Sequence, residues 1–382
     1  MEFRDLKTQY LQNKEAIDMV IQDALIEGQF IGGEPVRQLE EKLAGYVGVK
    51  HCITCANGTD ALQLALMAWG IGKGDAVFVP DFTFFATAEV VPWVGATPVF
   101  VDVDADTFNL SPDALEEAVQ KVVKEGKLVP RVVIAVDLFG QPADFSALKK
   151  IVEKYDMLLL EDGAQGFGGR IGDQKACSFG DIATTSFFPA KPLGCYGDGG
   201  AVFTDNDEWA AMIRSYKVHG KGADKYDNVR IGLNSRLDTI QAGILQVKFK
   251  AFQEYELSAV NQVARWYDEK LKNTDVICPK ILDGYYSSWA QYTIRLPEQG
   301  IRDRLQLYLK EHNIPSLIYY VKPMHKQKAF WENEYAVLPD DHYFGNTTRL
   351  CKEVLSLPMH PYMSKEDVDD VAETINSGLR EL

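Results

Sequence analysis

The chain contains 382 residues, of which 46% are hydrophobic and 25% are charged, and its formal net charge is -15. At about 100–200 residues per domain this length predicts two domains, and the composition excludes a disordered or fibrous protein. The negative charge disfavours nucleic acid and anionic membrane surfaces as partners, but it allows a locally positive site for a small anion.

The N-terminus and the cysteines both predict a cytoplasmic protein. Residues 1–5 lack a basic start followed by an apolar core, and no stretch reaches the ~20 apolar residues of a membrane span. Six cysteines are scattered without a disulfide framework, which is typical of reduced thiols. Cys52 and Cys55 form a CxxC pair, but no second pair completes a zinc set, so we interpret them as buried apolar residues.

Short apolar runs alternate with helical stretches between about residues 50 and 204. The predicted strands are His51–Thr54, Ala76–Pro80, Thr97–Val101, Val132–Asp137, Leu158–Glu161, Ile182–Phe187 and Ala201–Thr204. The predicted helices between them include Ala61–Gly70, Thr87–Val94, Asp113–Lys124 and Phe145–Tyr155. This alternation predicts an α/β fold with a mostly parallel sheet, whose ligand crevice lies beyond the carboxyl ends of the strands.

The pattern changes after residue 204. Two long helical patterns come first, at Trp209–Val218 and Asp238–Leu271. Short strands and helices then alternate, at Ala290–Leu296, Arg302–His312, Ser316–Tyr320 and Lys365–Leu379. We therefore predict a large mixed-sheet domain over residues 1–250, with the N-terminal segment packed on it, and a smaller docked α+β domain over residues 251–382.

Two motifs after predicted strands favour an anion and a cation. Gly58-Thr59-Asp60 opens a helix whose free amides could hold a phosphate, although a plain helix cap has the same residues. Glu161 and Asp162 end an apolar strand, where a buried carboxylate needs a strong partner. A protonated pyridine nitrogen and a structural arginine are both open as that partner.

A third motif places Lys191 just past a strand, in an apolar loop stiffened by prolines. Partial desolvation there lowers the pKa of an amine and frees its lone pair for attack on an aldehyde. Alone, the residue is also compatible with an ordinary solvated lysine. Pyridoxal phosphate chemistry needs a lysine, an acid for the ring nitrogen and a phosphate site, and the three motifs together supply them.

These motifs, together with Gly232–Ala242, resemble the DegT/DnrJ/EryC1 sugar aminotransferases, and the likeness extends from Phe3–Leu6 to Leu355–Pro361. The resemblance implies the pyridoxal-phosphate-dependent fold type I, which is the aspartate-aminotransferase-like fold. Lys191 would carry the cofactor and shuttle a proton, Asp162 would pair with the pyridine nitrogen, and Gln165 would contact the 3-oxygen side of the ring. The implied phosphate donors are Gly58, Thr59, Asp60 and Ser186.

The resemblance also implies residues around the cofactor and the substrate. Phe84 would stack on the cofactor ring, although a core position is an alternative. Asn234 would reach the phosphate from the neighbouring subunit, which implies a homodimer with shared active sites. The implied substrate-side residues are Arg236, Tyr320 and His219. The sequence departs from the family at Gly163, where alanine is usual, and at Tyr319, where close relatives can carry histidine.

The implied reaction moves an amino group from an amino acid, expected to be L-glutamate, to the keto carbon of a nucleotide-activated sugar. Residues Ser288–Ile294 and the loop around Lys191 look closest to the branch that aminates UDP-2-acetamido-3-keto-glucuronic acid for surface polysaccharides. A 4-keto nucleotide sugar is the alternative acceptor. Two alternatives belong to other functional classes. A sugar dehydratase on the same scaffold typically has histidine in place of the lysine, so Lys191 disfavours that function. A non-catalytic cofactor-binding regulator would need a nucleic-acid module, which the negative net charge disfavours.

Overall fold

The structure, a computed structural model, describes residues 1–224, 226–331 and 341–381. Two helices precede the first strand, α1 (Leu6–Glu27) and α2 (Glu34–Val47). The Asp5 carboxylate caps α1 by accepting a 2.8 Å hydrogen bond from the Thr8 amide, and Gly28 ends the helix with a φ of 66°. The sequence pattern predicts only a packed segment here, so both helices are additions.

Nine strands follow in the first two thirds of the chain. They are β1 (His51–Cys55), β2 (Asp75–Pro80), β3 (Thr97–Val101), β4 (Val129–Val136), β5 (Leu158–Asp162), β6 (Arg170–Ile171), β7 (Gln174–Lys175), β8 (Ile182–Ser186) and β9 (Gly200–Thr204). Seven of them form the central sheet in the order β1-β9-β8-β5-β4-β2-β3. The neighbours from β3 to β8 are parallel, and β9 is antiparallel to both β8 and β1. The predicted mixed, mostly parallel sheet is confirmed.

Helices cover both faces of this sheet. They are α3 (Gly58–Ala68), α4 (Phe85–Trp93), α5 (Pro112–Glu125), α6 (Phe145–Lys154) and α7 (Asp207–Tyr216). On one face, Val79 and its neighbours pack against α3, α4 and α7. On the other face, Phe78 packs against α5 and α6, while α2 covers the β1 end. Alternate residues of one strand thus enter different cores, which explains the continuous apolar runs in the sequence.

The C-terminal part contains the remaining elements. They are α8 (Thr239–Ala251), α9 (Leu257–Leu271), β10 (Tyr285–Tyr286), β11 (Tyr292–Arg295), α10 (Gln299–Glu311), α11 (Lys328–Trp331), α12 (Gly345–Glu353), β12 (Val354–Leu357) and α13 (Lys365–Glu381). Antiparallel β11 and β12 share a separate core with α9, α10 and α13, in which Tyr267 and Tyr292 stack at 4.7 Å between ring centroids. This second core is consistent with a smaller docked domain.

One stretch of the C-terminal part returns to the large sheet. Met324, Phe330 and Phe344 lie in the same apolar cluster as α3 and α4. The Asp81 carboxylate, which is buried after β2, holds His325 at 2.6 Å from its ring nitrogen Nδ1. The division of the chain near residue 250 therefore stays a prediction, because this stretch packs across it.

The element predictions hold to within a few residues for the central sheet, but two are wrong later in the chain. The helix predicted over Asp238–Leu271 is interrupted by a π-helical turn at Phe252–Glu256. The strand predicted over Ser316–Tyr320 forms only an isolated bridge, between Leu317 and Ser356. Sequence patterning also misses α12 and β12. No helix among the described residues has the length and apolar character needed to cross a membrane.

Candidate active site

The predicted site residues lie at one edge of the central sheet. Strands β1, β8 and β5 run in the same direction, so their carboxyl ends meet there. Gly58 follows β1, Ser186 ends β8, and Asp162 ends β5. Residues that are far apart in the sequence are therefore brought together by strand direction alone, as expected for a ligand crevice of an α/β sheet.

The amino end of α3 lies directly against β8. A Cβ atom added at Gly58 would lie 2.8 Å from the Cβ of Ser186, so only glycine fits this contact. The Asn57 side chain caps α3 by accepting a 2.8 Å hydrogen bond from the Asp60 amide. The amides of Gly58 and Thr59 precede it in the first turn, where a helix leaves its donors free for an anion. The Asp60 amide, by contrast, already donates to the Asn57 side chain, so it is not free for an anion.

Asp162 is a buried carboxylate with hydroxyl and amide donors. The Thr87 hydroxyl donates to its Oδ2 at 2.9 Å, and the Ala164 amide donates to its Oδ1 at 3.2 Å. Burial raises the pKa of Asp162, while these two donors and the Lys191 ammonium act in the opposite direction. Among the described residues no arginine forms an ion pair with Asp162, so the structural-arginine interpretation is wrong.

Glu161, its neighbour in the chain, is used differently. Its side chain points to the other face of β5 and accepts hydrogen bonds from the amides of Cys177, Phe179 and Gly180, the second at 2.6 Å and the third at 3.2 Å. Three backbone donors satisfy a buried carboxylate without a cation. Glu161 therefore holds the loop that precedes β8, and only Asp162 is directed to the crevice.

Lys191 lies half-buried in a turn after β8. Its amide donates to the Phe188 carbonyl at 2.9 Å. A Cβ atom at Gly194 would meet the carbonyl oxygens of Phe188 and Pro189 at 2.5 Å, so the loop closes tightly on itself. Burial lowers the pKa of the Lys191 amine, Asp162 raises it, and the Arg4 guanidinium lowers it further. The Lys191 amine and the Asp162 carboxylate therefore each shift the pKa of the other.

Gln165, Tyr320 and Phe84 lie beside these two residues. The Gln165 side chain accepts a 2.7 Å hydrogen bond from the Phe139 amide and donates to the Tyr320 hydroxyl at 3.3 Å. The Phe84 ring is centred 6.5 Å from the Tyr320 ring and is 55% exposed. The alternative of Phe84 as a core residue is therefore wrong, and an exposed ring here leaves a face open for stacking.

His219, Asn234 and Arg236 form a second, exposed group on the segment after α7. The backbone of this segment is fixed by a bridge between Val218 and Asn234 and by the Ser235 hydroxyl, which accepts a 3.0 Å hydrogen bond from the Ala56 amide. Within the described chain, no hydrogen bond joins these three side chains to Lys191 or Asp162. The structure therefore brings together the predicted cofactor residues but not this group.

Sequence reasoning misses two residues that contact the site. Thr87 orients Asp162, and its hydroxyl also lies 3.1 Å from that of Thr83. Thr83 precedes α4 and Thr87 lies in its first turn, so helical spacing does not indicate this pair. Arg4 donates to the Lys191 carbonyl at 3.1 Å across 187 positions of sequence, and no local pattern could have indicated that contact.

This set of groups fits pyridoxal phosphate. The amino end of α3 with Ser186 suits a phosphate, Asp162 suits a protonated ring nitrogen, and Lys191 has the amine that an aldehyde requires. The fold and the site together define a pyridoxal-phosphate-dependent enzyme of fold type I. Residues 11–376 match the model of the DegT/DnrJ/EryC1/StrS aminotransferase family, and the chain belongs to that family.

Three curated relatives cover nearly the whole chain. The protein named UDP-2-acetamido-2-deoxy-3-oxo-D-glucuronate aminotransferase, from Pseudomonas aeruginosa, is 44% identical over 99% of this chain and 100% of its own length. A Geobacillus stearothermophilus protein named pleiotropic regulatory protein is 40% identical over 97% of this chain and 96% of its own. An Acidithiobacillus ferrooxidans protein named UDP-N-acetyl-3-dehydro-alpha-D-glucosamine 3-aminotransferase is 39% identical over 98% and 97%.

Two solved structures are similar throughout. A DegT/DnrJ/EryC1/StrS aminotransferase from Brucella abortus has a TM-score of 0.94 and 47% identity, covering 99% of both chains. DesV from S. venezuelae, solved in complex with a ketimine intermediate, has a TM-score of 0.91 and 30% identity, covering 98% of this chain and 97% of its own. The chain is an aminotransferase, and its cofactor is pyridoxal phosphate.

Proposed function

We propose that this aminotransferase moves an amino group from L-glutamate to the keto carbon of a nucleotide-activated sugar, namely UDP-2-acetamido-3-keto-glucuronic acid. The observation that carries the chemistry is the set of groups at the carboxyl ends of β1, β5 and β8. The start of α3 packs on Ser186, the buried Asp162 carboxylate accepts from Thr87, and burial lowers the pKa of the Lys191 amine. The acceptor rests on the Pseudomonas relative, which is 44% identical over its whole length.

The residues of this chain divide the work. When bound, pyridoxal phosphate supplies an electron sink for the pair released as a C–H bond breaks. Asp162 would keep a proton on the ring nitrogen, and the Thr87 hydroxyl and Ala164 amide hold the carboxylate in place. The Nζ atom of Lys191 accepts the proton from one carbon and returns it to another, and its lowered pKa leaves an amine able to do so. The Gly58 and Thr59 amides and the Ser186 hydroxyl would hold the phosphate.

We place the acceptor sugar on the side of Tyr320 and Phe84. Burial raises the pKa of the Tyr320 phenol, so the hydroxyl stays neutral and can donate to a sugar oxygen. Tyr319 directly precedes Tyr320 in the chain, and the centroids of the two rings lie 5.7 Å apart. His219 and Arg236 would complete the substrate side.

A homodimer would bring the second group of residues to the site. Asn234 and Arg236 are exposed, and the same segment exposes Ile231 at 93% and Val229 at 54%. Phe188, beside Lys191, is 52% exposed. Exposed apolar side chains around a crevice favour a protein partner, and a two-fold dimer would deliver the Asn234 segment of one subunit to the crevice of the other.

The thiols support a cytoplasmic enzyme. All six cysteines are free, and burial raises the pKa of the Cys55 thiol to about 12 and that of Cys52 well above its usual value. Such thiols are poor nucleophiles and poor metal ligands, which supports an apolar role for the CxxC pair. Reduced cysteines of this kind are typical of cytosolic proteins.

Two steps of spectroscopy and assay test the proposal. Purified protein with bound cofactor should lose its long-wavelength cofactor absorbance on addition of L-glutamate, because the amino group is transferred. The protein with the aminated cofactor should then regain that absorbance when the 3-keto UDP-uronate is added. The aminated sugar that forms should be detectable by mass spectrometry. A faster return with a 4-keto UDP-sugar would contradict the 3-keto assignment and favour the alternative acceptor.

The regulator hypothesis has one supporting observation, the name of the Geobacillus relative. A non-catalytic cofactor-binding protein would keep its absorbance unchanged with every amino acid donor. The Lys191 and Asp162 pair favours catalysis, because a protein that only binds the cofactor has no need of an amine that can move a proton. The same Lys191 disfavours a dehydratase.

A further inference from the structure

A short N-terminal arm, Phe3-Arg4, lies between the Lys191 loop and the C-terminal core. The Arg4 guanidinium donates to two distant backbone carbonyls, from Nη2 to Lys191 at 3.1 Å and from Nη1 to Met359 at 3.3 Å. The Met359 amide donates back to the Phe3 carbonyl at 3.2 Å. One side chain therefore links the backbone of the reactive lysine to the segment that follows β12.

The arm is fixed at both ends. Asp5 caps α1 through two hydrogen bonds from Thr8, one from its amide at 2.8 Å and one from its hydroxyl at 2.6 Å. Helix α1 packs against α8. The Phe3 ring lies 6.4 Å from the ring of Tyr319, next to the substrate side. Because the arm cannot move independently of these elements, its guanidinium holds the Lys191 carbonyl at a defined place.

The Arg4 guanidinium stays charged although its surroundings lower its pKa. Burial lowers the pKa of Arg4, while Glu256 in the π-helical turn and Tyr362 raise it. Glu256 is itself buried and accepts hydrogen bonds from Gln9 at 3.0 Å and from the Tyr362 hydroxyl. The buried Lys248 is a further cation near this cluster, and His360 is a titratable group that also interacts with Arg4. An arginine loses its proton only far above neutral pH, so Arg4 presents a positive charge to the lysine loop.

We propose that Arg4 is a positioning residue for Lys191, holding the lysine carbonyl and coupling the reactive loop to the C-terminal core at Met359. The inference rests on the proposed role of Lys191. A base that moves a proton must stay within hydrogen-bond reach of two carbons in turn. Misplacement by about 1 Å can cost about 100-fold in rate, so a fixed backbone carbonyl matters for catalysis.

The charge of Arg4 has a separate, measurable effect. Two charged groups face Lys191, with Asp162 raising the pKa of the amine and Arg4 lowering it. Loss of the guanidinium removes a like charge, so the pKa of Lys191 should rise and less free amine should be present at neutral pH. A role in fold stability alone would not move this pKa.

The test compares Arg4→Met, Arg4→Lys and a control, Arg170→Met. Arg170 donates to the Gly172 carbonyl at 3.0 Å on the exposed turn after β6. It therefore makes the same kind of contact as Arg4, a guanidinium bound to a backbone carbonyl, but does so away from Lys191. The first readout is the pH midpoint for acylation of Lys191 in the full-length, cofactor-stripped protein, followed by peptide mass spectrometry. The second is kcat of the cofactor-loaded protein.

Arg4→Met should raise the acylation midpoint by about half a unit or more and lower kcat about 10-fold. Arg4→Lys should keep the midpoint near that of the unaltered protein, because it keeps the charge, and should still lower kcat because it loses the paired contact. Arg170→Met should change neither. If Arg4→Met does not fold, Arg4→Gln, which removes the charge but keeps two donors, takes its place with the same expected midpoint.

An unchanged midpoint together with an unchanged kcat in Arg4→Met would overturn the inference, even if the melting temperature fell. That outcome leaves the proposed function intact as long as the cofactor is attached to Lys191. Attachment at a different lysine would instead overturn the proposed function itself, so the two failures are distinguishable.

Discussion

The crevice at the sheet edge and the exposed group His219, Asn234 and Arg236 differ in how many of their contacts are formed within one chain. At the sheet edge, the contact between Gly58 and Ser186 and the donors to Asp162 are all formed within the chain. On the segment, Asn234 and Arg236 point to solvent. This contrast is what the proposed dimer predicts: one subunit forms the cofactor site, and the segment after α7 reaches the site of a second subunit.

The largest expected effect is at Lys191. Lys191→Ala should abolish transamination, since a positioned base alone contributes about 10²–10⁴-fold and the cofactor also loses its attachment. Turnover with glutamate is the measurement, and Lys250→Ala is the control because Lys250 is exposed on α8. Retention of more than a small fraction of activity by the Lys191 variant would contradict the role of the crevice.

Glu161 and Asp162, the last two residues of β5, allow a test of which carboxylate acts in catalysis and which in folding. Asp162→Asn should lower kcat about 100-fold or more with a nearly unchanged melting temperature, because the ring nitrogen loses its anionic partner. Glu161→Gln should instead lower the melting temperature, since Glu161 serves three backbone amides. The reverse pattern, with Glu161 controlling kcat, would show that the two side chains are misassigned.

Gly58 should determine cofactor affinity. Gly58→Ala forces a Cβ atom to within 2.8 Å of Ser186, so α3 must shift and the affinity for pyridoxal phosphate should fall about 10-fold or more. Equilibrium dialysis or fluorescence quenching measures this affinity. Gly45→Ala, in α2 with open space around it, is the matched control and should leave the affinity unchanged. Equal affinities for both variants would exclude a phosphate at the α3 end.

Most of the sheet edge could be predicted from the sequence because its signals are local. A strand, a glycine and a helix start lie within a few residues at Gly58, and an apolar strand leads directly into Asp162. Apolar periodicity alone begins the helix at Ala61, but the motif around Gly58 places its start earlier, and the Asn57 cap confirms that start.

The remainder depends on contacts between distant positions. No residue type in Phe252–Glu256 indicates that a π-helical turn interrupts the helix there. The Phe252 ring packs so closely on Gly168 that a Cβ atom at that glycine would lie 2.5 Å from it, and this contact joins distant positions of the chain. The short alternating stretch Ser316–Tyr320 predicts a strand that includes Tyr320, yet the Tyr320 hydroxyl accepts a hydrogen bond from the distant Gln165. Arg4 shows the same limit, since its partners are Lys191 and Met359.

Subunit sharing makes a prediction about a mixture of an inactive variant and a weakly active variant. Asn234→Ala should lower activity about 10-fold through weaker phosphate binding. When Lys191→Ala and Asn234→Ala chains are unfolded and reassembled together, about a quarter of the sites should recover, because a mixed two-fold dimer has one site with both residues intact. Activity no higher than that of Asn234→Ala alone would place Asn234 in its own subunit's site.

The smallest expected effect is at Thr87. The 2.9 Å hydrogen bond from Thr87 stabilises the ionised form of Asp162 and lowers its pKa. Thr87→Val removes this bond, so the pKa of Asp162 should rise. The acid limb of the kcat profile should then move to higher pH, with a loss of about 3- to 10-fold near neutrality. Thr87→Ser keeps the hydroxyl and should restore the profile. An unmoved acid limb in the valine variant would exclude Thr87 from holding Asp162.

The most direct test of the sheet-edge site is chemical trapping of the cofactor. Borohydride reduction of the cofactor-loaded protein, followed by proteolysis and peptide mass spectrometry, should find the reduced cofactor on the peptide that contains Lys191 and on no other. A label on a different lysine, or no covalent label, would contradict the account of the crevice.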